Sequence, residues 1–379
     1  MPKILRITTV PISLNILLKG QLKYMQEQGH ELIAASAAGH EVDEMCQREG
    51  VKHFPIDFTR TLSPFKDLKA LWQLIRLIQK QKPDIVHTHT PKAGLLGMMA
   101  AKFTGVPLRM HTVAGMPLME ATGLTKRILR VTEKITYSCA HTIYPNSYKL
   151  KDYMIAKFPV YEPKFKIIGE GSSNGINIAY FSKDRIDPTA VSDLRTKHKI
   201  PADALVFVFV GRIVEDKGIH ELVEAFLSIR EEAYLLLVGA FEDEREPVKS
   251  ETKEAIKSHK RIIYVGFQKD IRPFLAASDV FVFPSYREGF PNVVLQAAAM
   301  ELPCIVSNIN GSNEIIKRNQ NGLIVPVKNT EALQYAMEDL LIHSEKRRAL
   351  AAKSRASILE KYDQQKVWEA ILTEYKRLV

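Results

Sequence analysis

The sequence predicts an α/β protein of two doubly wound domains, each a parallel sheet covered by helices. Three observations predict it. The 379 residues exceed the usual span of one domain, and either half could bury a core of its own. Short β-rich apolar runs alternate with amphipathic helical stretches along most of the chain, the signature of parallel strands joined by crossover helices. The alternation breaks once, between about 170 and 203, where Gly-Glu-Gly-Ser-Ser-Asn-Gly (169–175) and the prolines at 188 and 201 interrupt it. The expected domains are 1–175 and 176–360, with 361–379 a terminal helix that returns to pack on the first.

In the first half the strand-like runs are 4–10, 31–35, 85–87, 108–112 and 142–144. Helical patterns lie between them at 14–28, 67–81 and 93–103. In the second half 205–210, 234–238, 261–265, 280–283 and 303–306 read as strands, with helices around 218–230, 247–258 and 292–300. Beyond 329 the chain reads as nearly all helix. In open parallel sheets ligands bind beyond the carboxyl ends of the strands, so two such sheets facing each other would enclose a cleft.

At 46% hydrophobic and 25% charged the composition is globular, which excludes a disordered or fibrous chain. Cys46, Cys139 and Cys304 are odd in number and far apart, with neither metal-ligand nor disulfide spacing, as expected in a reducing compartment. No signal-peptide core or membrane-length apolar run occurs, so the expected location is cytoplasmic. The net charge of +10 is unevenly placed. Residues 1–180 carry 24 Lys and Arg against 14 Asp and Glu, an excess of 10, whereas 181–379 carry 29 of each. The first half is expected to face something anionic: nucleic acid, an anionic membrane or a phosphorylated acceptor, with solubility alone as the plain alternative.

Two constellations carry chemistry. Gly211-Arg212-Ile213-Val214-Glu215-Asp216-Lys217-Gly218 follows strand 205–210 and precedes a helix. A glycine at a strand end permits a tight turn, a helix start offers free N–H groups, and Arg212 and Lys217 add positive charge at the same edge. This suits a diphosphate, above all a departing one. It is neither a P-loop nor a Gly-x-Gly-x-x-Gly fingerprint, and a surface Arg and Lys beside a turn would give the same string. The second constellation, Pro284-Ser285-Tyr286-Arg287-Glu288-Gly289-Phe290-Pro291-Asn292-Val293-Val294-Leu295-Gln296, sits where strand 280–283 gives way to a helix. It puts Glu288 among the backbone amides of 289–294, where a carboxylate can meet sugar hydroxyls or positive charge at an anomeric carbon. An isolated Glu there would be a solvated loop acid or a cap.

Together these strings resemble the retaining glycosyltransferases of the GT4 family, whose GT-B fold pairs two Rossmann-like domains. His87-Thr88-His89-Thr90-Pro91-Lys92-Ala93-Gly94, then Arg109-Met110-His111-Thr112-Val113, then Asn174-Gly175-Ile176-Asn177 resemble the branch that builds capsule and O-antigen polysaccharides. The resemblance spans the whole chain. It implies that Arg212 and Lys217, with the turn at Gly211, hold the donor diphosphate and that Glu288 contacts the donor sugar. Gly289, Phe290, Val293 and Val294 then complete the donor site, and His111 hydrogen-bonds the transferred sugar. Ser13, in Pro11-Ile12-Ser13, matches a loop that approaches the phosphates. Where the family commonly has a second Glu on the nucleotide ribose, this chain has Gln296, an amide that still donates and accepts but carries no charge.

His87 and His89 share a direction if the strand runs through them, yet no carboxylate joins them at ligand spacing. They are expected as hydrogen-bond donors at the cleft, His89 at the acceptor. Lys92 is a candidate for an acceptor phosphate, with an exposed lysine as the alternative. The acidic run 242–246 reads as a solvated loop entering a helix. With no Asp-x-Asp in the chain, neither metal nor cofactor is expected. Around 124–140, Leu124, Ile128, Val131 and Ile135 fall on one helical face and Lys126, Arg127, Arg130 and Lys134 on others. That pattern is either a membrane-surface helix or an ordinary helix packed on its own sheet.

The expected activity is transfer of a sugar, with retention, from a nucleoside diphosphate (uridine diphosphate first, by resemblance) to a glycan linked to polyprenyl diphosphate. An epimerase or phosphorylase on the same architecture is the alternative enzyme. A nucleic-acid-binding protein is the alternative of another class, but no recognised nucleic-acid module is present.

Overall fold

The computed structural model describes residues 1–59, 61, 63–242 and 247–378. The chain divides into two compact units, residues 1–175 with 364–379, and residues 176–363.

The first unit is built on β1 (Lys3–Ile7), β2 (Glu31–Ser36), β3 (Lys52–Pro55), β4 (Ile85–His89), β5 (Leu108–Val113) and β6 (Thr142–Pro145), all parallel, in the order β3-β2-β1-β4-β5-β6. Alternate residues of each strand face opposite layers. Leu5 and Ile7 pack with helices Pro64–Gln81 and Pro91–Phe103, whereas Ile4, Leu32 and Ile85 pack with helix Gln21–Glu27 and the terminal helix Gln364–Leu378. That last helix inserts Val367, Ile371, Leu372 and Tyr375 into the core. It starts at Gln364 rather than 361, because Lys361 closes the preceding helix, Ser344–Lys361, of the second unit.

The second unit repeats the plan with β7 (Leu205–Val210), β8 (Ala233–Val238), β9 (Ile262–Gly266), β10 (Val280–Phe283), β11 (Cys304–Ser307) and β12 (Gly322–Val325), ordered β12-β11-β10-β7-β8-β9 and again parallel. Leu-Val-Phe-Val-Phe-Val of β7 is buried throughout, as a central strand covered on both faces must be. Strands β3 and β12 were not expected. They are four-residue edge strands, one ending in proline and one starting in glycine, so neither carries a long apolar run.

In both sheets the strand order reverses beside the first strand, between β1 and β4 and between β7 and β10. At such a switch point the loops leaving two adjacent strands run in opposite directions and leave a crevice at the carboxyl edge.

Candidate active site

The second unit's crevice is walled by the loops after β7 and β10. Gly218 makes their approach possible. Its φ is +69°, and a Cβ there would lie 2.3 Å from the Pro284 carbonyl oxygen, so backbone meets backbone. Side chains then lock the loops together. Lys217 Nζ donates to Glu288 Oε1 at 2.6 Å, with side-chain exposures of 12% and 18%. Ser285 Oγ donates to the same carboxylate oxygen at 3.2 Å. Arg287 Nε donates to Asp216 Oδ2 at 2.8 Å, and the Tyr286 hydroxyl reaches both oxygens of Glu221 at 2.7 Å. From β11's end, the Asn310 amide donates to the carbonyls of Glu288 and Gly289. Three consecutive side chains of the second loop thus grip the segment that begins at Asp216.

Gly211 stands at the end of β7, and Arg212 beside it pairs through Nη1 with Glu242 Oε2 at 2.8 Å, on the half-exposed rim. Of the acidic run, residues 243–246 lie outside the described residues. Helix Asn292–Ala299 starts where the Glu288 loop ends, and its first N–H groups lack intrahelical acceptors. Gly289, Val293 and Gln296 are partly exposed, the last two one turn apart on one face. Phe290 and Val294 differ. Phe290 packs on Tyr362 in the core, and the Val294 side chain is wholly buried while its N–H donates to the Pro291 carbonyl. Neither residue presents a side chain to a ligand, so any part in donor binding falls to their backbone. The apolar residues of a helix that covers a sheet turn inward.

In the first unit's crevice, Thr9 and Thr90 bridge β1 and β4 through their hydroxyls at 2.8 Å. Thr90 holds φ +79°, a conformation that costs a non-glycine residue energy and clusters at functional sites. His111 lies on helix Pro91–Phe103 where Gly94 leaves room, since a Cβ at 94 would fall 2.4 Å from the imidazole Cε1. Nδ1 shares a hydrogen bond with Thr88 Oγ1 at 2.8 Å, and Nε2 has no hydrogen-bond partner among the described residues. Burial lowers the His111 pKa to about 4, so the ring is neutral near pH 7. Ser13 opens a single π-turn, Ser13–Leu17, with its N–H on the Val10 carbonyl at 3.1 Å and the residue partly exposed.

Three sequence expectations change here. His87 is tied inward, Nδ1 to the Tyr375 hydroxyl at 2.7 Å and Nε2 to Thr112 Oγ1 at 2.8 Å. His89 stacks on it at 4.4 Å and is 1% exposed, so it is buried where an acceptor ligand was expected. Lys92 is neither free for a phosphate nor an exposed lysine. Its three N–H donors go to Thr59 Oγ1 at 3.0 Å, the Thr61 carbonyl at 2.6 Å and Asp67 Oδ1 at 2.6 Å, pinning the loop before helix Pro64–Gln81. Sequence reasoning missed Thr9, Thr90, Asn310 and the Asp216–Arg287 and Glu221–Tyr286 pairs. Thr90, Asp216, Tyr286 and Arg287 lie inside the strings that carried the resemblance, and Asn310-Gly311 is a turn dipeptide at a strand end, but no spacing paired them.

Helix Gly123–Cys139 turns its polar face inward and its apolar stripe outward. Glu133, Thr136, Tyr137 and Cys139 face the protein, while Leu124 (71% exposed), Ile128, Val131 (55%) and Ile135 face out. Among the described residues no group of three or more His, Cys, Asp and Glu side chains is placed to hold a metal ion, and no helix is long and apolar enough to cross a membrane.

Residues 18–170 match the family described as glycosyl transferase 4-like domain, and residues 191–357 match glycosyl transferases group 1. The capsular polysaccharide biosynthesis glycosyltransferase CapM of Staphylococcus aureus is 33% identical over 376 residues, 98% of this chain and 96% of CapM. The chain is a glycosyltransferase of this family. A UDP-Gal:alpha-D-GlcNAc-diphosphoundecaprenol alpha-1,3-galactosyltransferase of Escherichia coli is 32% identical over 287 residues, 73% of this glycosyltransferase and 71% of that one. Its fold is shared with a glycosyltransferase from Rickettsia africae ESF-5 (TM-score 0.82, 23% identity, covering 100% and 98% of the two chains). It is shared equally with Anabaena HepE in complex with UDP and glucose (TM-score 0.83, 16% identity, 100% of each). The two six-stranded parallel sheets are those of the GT-B architecture. The epimerase, phosphorylase and nucleic-acid readings gain no support from these relatives.

Proposed function

We propose that this glycosyltransferase moves a sugar from uridine diphosphate to a hydroxyl of a glycan carried on polyprenyl diphosphate, with retention and without a metal, at an anionic membrane surface. The observation that carries the reading is the Lys217–Glu288 pair in the second unit's switch-point crevice. A diphosphate there draws the Lys217 ammonium to itself, beside Arg212 and the first N–H groups of helix Asn292–Ala299. Glu288, held by Ser285, is thereby released to face the sugar. The same donors stabilise the charge that grows on the leaving diphosphate. In the transfer, the bond from the anomeric carbon to the diphosphate oxygen breaks as the acceptor oxygen bonds on the same face. The acceptor proton passes to the departing phosphate oxygen. The neutral His111, with Nε2 free, suits a hydrogen bond to a sugar hydroxyl. Gln296 suits the ribose.

The donor and acceptor classes are those named for the Escherichia coli relative, and Anabaena HepE binds UDP and glucose. A surface site is favoured by the outward apolar stripe of helix Gly123–Cys139 with Lys126, Arg127, Arg130 and Lys134 around it. Phe65, Leu68 and Trp72 add a second exposed stripe on helix Pro64–Gln81.

The test supplies a panel of nucleotide sugars with undecaprenyl-diphosphate-linked N-acetylglucosamine, with and without chelator, and follows nucleotide release and the anomeric configuration of the product. Acceptor-dependent release of uridine diphosphate with an α-linked product, unchanged by chelator, is the expected result. Turnover of donor alone, an inverted product or loss of activity on chelation refutes the corresponding part.

A further inference from the structure

Beneath the terminal helix, the first unit encloses a small polar chamber with a cation in its wall. Arg6, on β1, is fully buried. Its Nη1 donates to the Tyr375 hydroxyl and its Nη2 to Gln21 Oε1, both neutral groups. No carboxylate pairs with it among the described residues. Its Nε–H, both ring nitrogens of His89, Ser173 Oγ and Asn146 Oδ1 are buried without partners among the described residues, and all four residues line the one chamber. Thr112, Tyr144, Ile168 and Ile371 also line it, with no acidic side chain in the lining and room for a single small ion or water molecule.

We propose that this chamber is a binding site for a single halide-sized monovalent anion, which balances the buried charge of Arg6 and helps seat the terminal helix. The hydrogen-bond inventory alone does not choose between anion and water. Arg6 Nε–H, one His89 N–H and the Ser173 hydroxyl donate, while Asn146 Oδ1 and the second His89 nitrogen accept. The charge chooses. A guanidinium is never deprotonated, and an uncompensated buried charge is far more costly than an unmet hydrogen bond. Water answers the second deficit and not the first. Arg6 and His89 are on two neighbouring strands and Ser173 is on the segment that follows β6, so one ion ties three separate pieces of chain, and Arg6 passes the tie to the terminal helix through Tyr375. The chamber is built by the first unit and the Lys217–Glu288 crevice by the second, and the chamber's failure would leave the transfer reading untouched.

The full-length enzyme crystallised from bromide should show an anomalous peak in contact with Arg6 Nε and the His89 ring. Its melting temperature in 0.2 M sodium bromide should exceed that in sodium gluconate of equal ionic strength by roughly 3 °C or more, as expected of a ligand that binds only the folded state. Ser173→Ala, which removes one donor without burying an unpaired charge, should lose at least half of that difference. A general salt effect would persist in the variant, which overturns the proposal. So does ordinary water density with no anomalous signal, or equal melting temperatures in the two salts.

Discussion

The acid on the inner face of helix Gly123–Cys139 makes a prediction whose size follows from its burial. Glu133 is 7% exposed, and desolvation raises its carboxyl pKa from 4.5 to about 7. In the unfolded chain the group ionises near 4.5. Below that pH both states hold the proton and the residue is neutral to stability. Between 4.5 and 7 the unfolded chain releases its proton while the folded chain keeps it, so stability falls as pH rises. Above 7 the loss is complete, and a gap of this width corresponds to about 3 kcal/mol. Glu133→Gln keeps the shape and removes the titration. Denaturant melts of wild type and variant from pH 4.5 to 8.5, followed by circular dichroism, should nearly coincide at the acid end. They should diverge in the variant's favour by up to ~3 kcal/mol above pH 7. A difference between the two proteins that does not change with pH would show that Glu133 ionises freely in the fold, and the argument would fail.

Three further outcomes are expected. Lys217→Ala and Glu288→Ala should each cut transfer by about 10²–10³-fold, read as nucleotide release, while circular dichroism stays native; wild-type turnover in either would discredit the crevice. Gly94→Ala drives a methyl into the His111 ring, so kcat should fall by about 10-fold or more while donor affinity, measured by calorimetry, holds. Leu124→Glu with Val131→Glu puts charge on the outward stripe and should weaken sedimentation with anionic vesicles by about 10-fold or more, with turnover on a detergent-dispersed short-chain acceptor unchanged.

The parts legible in the sequence were those where chemistry and position leave little choice. A run such as Leu-Val-Phe-Val-Phe-Val is buried on both faces of a parallel sheet, so ten of the twelve strands could be read directly. Edge strands β3 and β12 could not, because a strand with one paired side needs neither length nor pure hydrophobicity. Lys217 and Glu288 stand 71 residues apart yet meet, because each follows a strand flanking the switch point, which a strand order of this kind makes readable. Lys92, His87 and His89 were misplaced for one reason. A polar residue near a strand end looks the same in sequence whether its partner is a ligand or another part of the fold. Tyr375, which satisfies His87 from 288 positions away, has no local trace at all. The outward apolar face of helix Gly123–Cys139 was ambiguous because periodicity marks a stripe but not which side of the helix the sheet takes.

The terminal helix also sets an order of events in synthesis. Strands β1 to β6 are all made before the second unit, but Tyr375, which satisfies both Arg6 and His87, is made after it. Until Tyr375 has emerged, the strands of Arg6 and His87 carry unmet polar groups on an uncovered apolar layer, which is what a chaperone recognises. A stop codon after Asp363 would leave the second unit whole and the first sheet without its covering helix, so such truncations should fail by aggregation of the first unit.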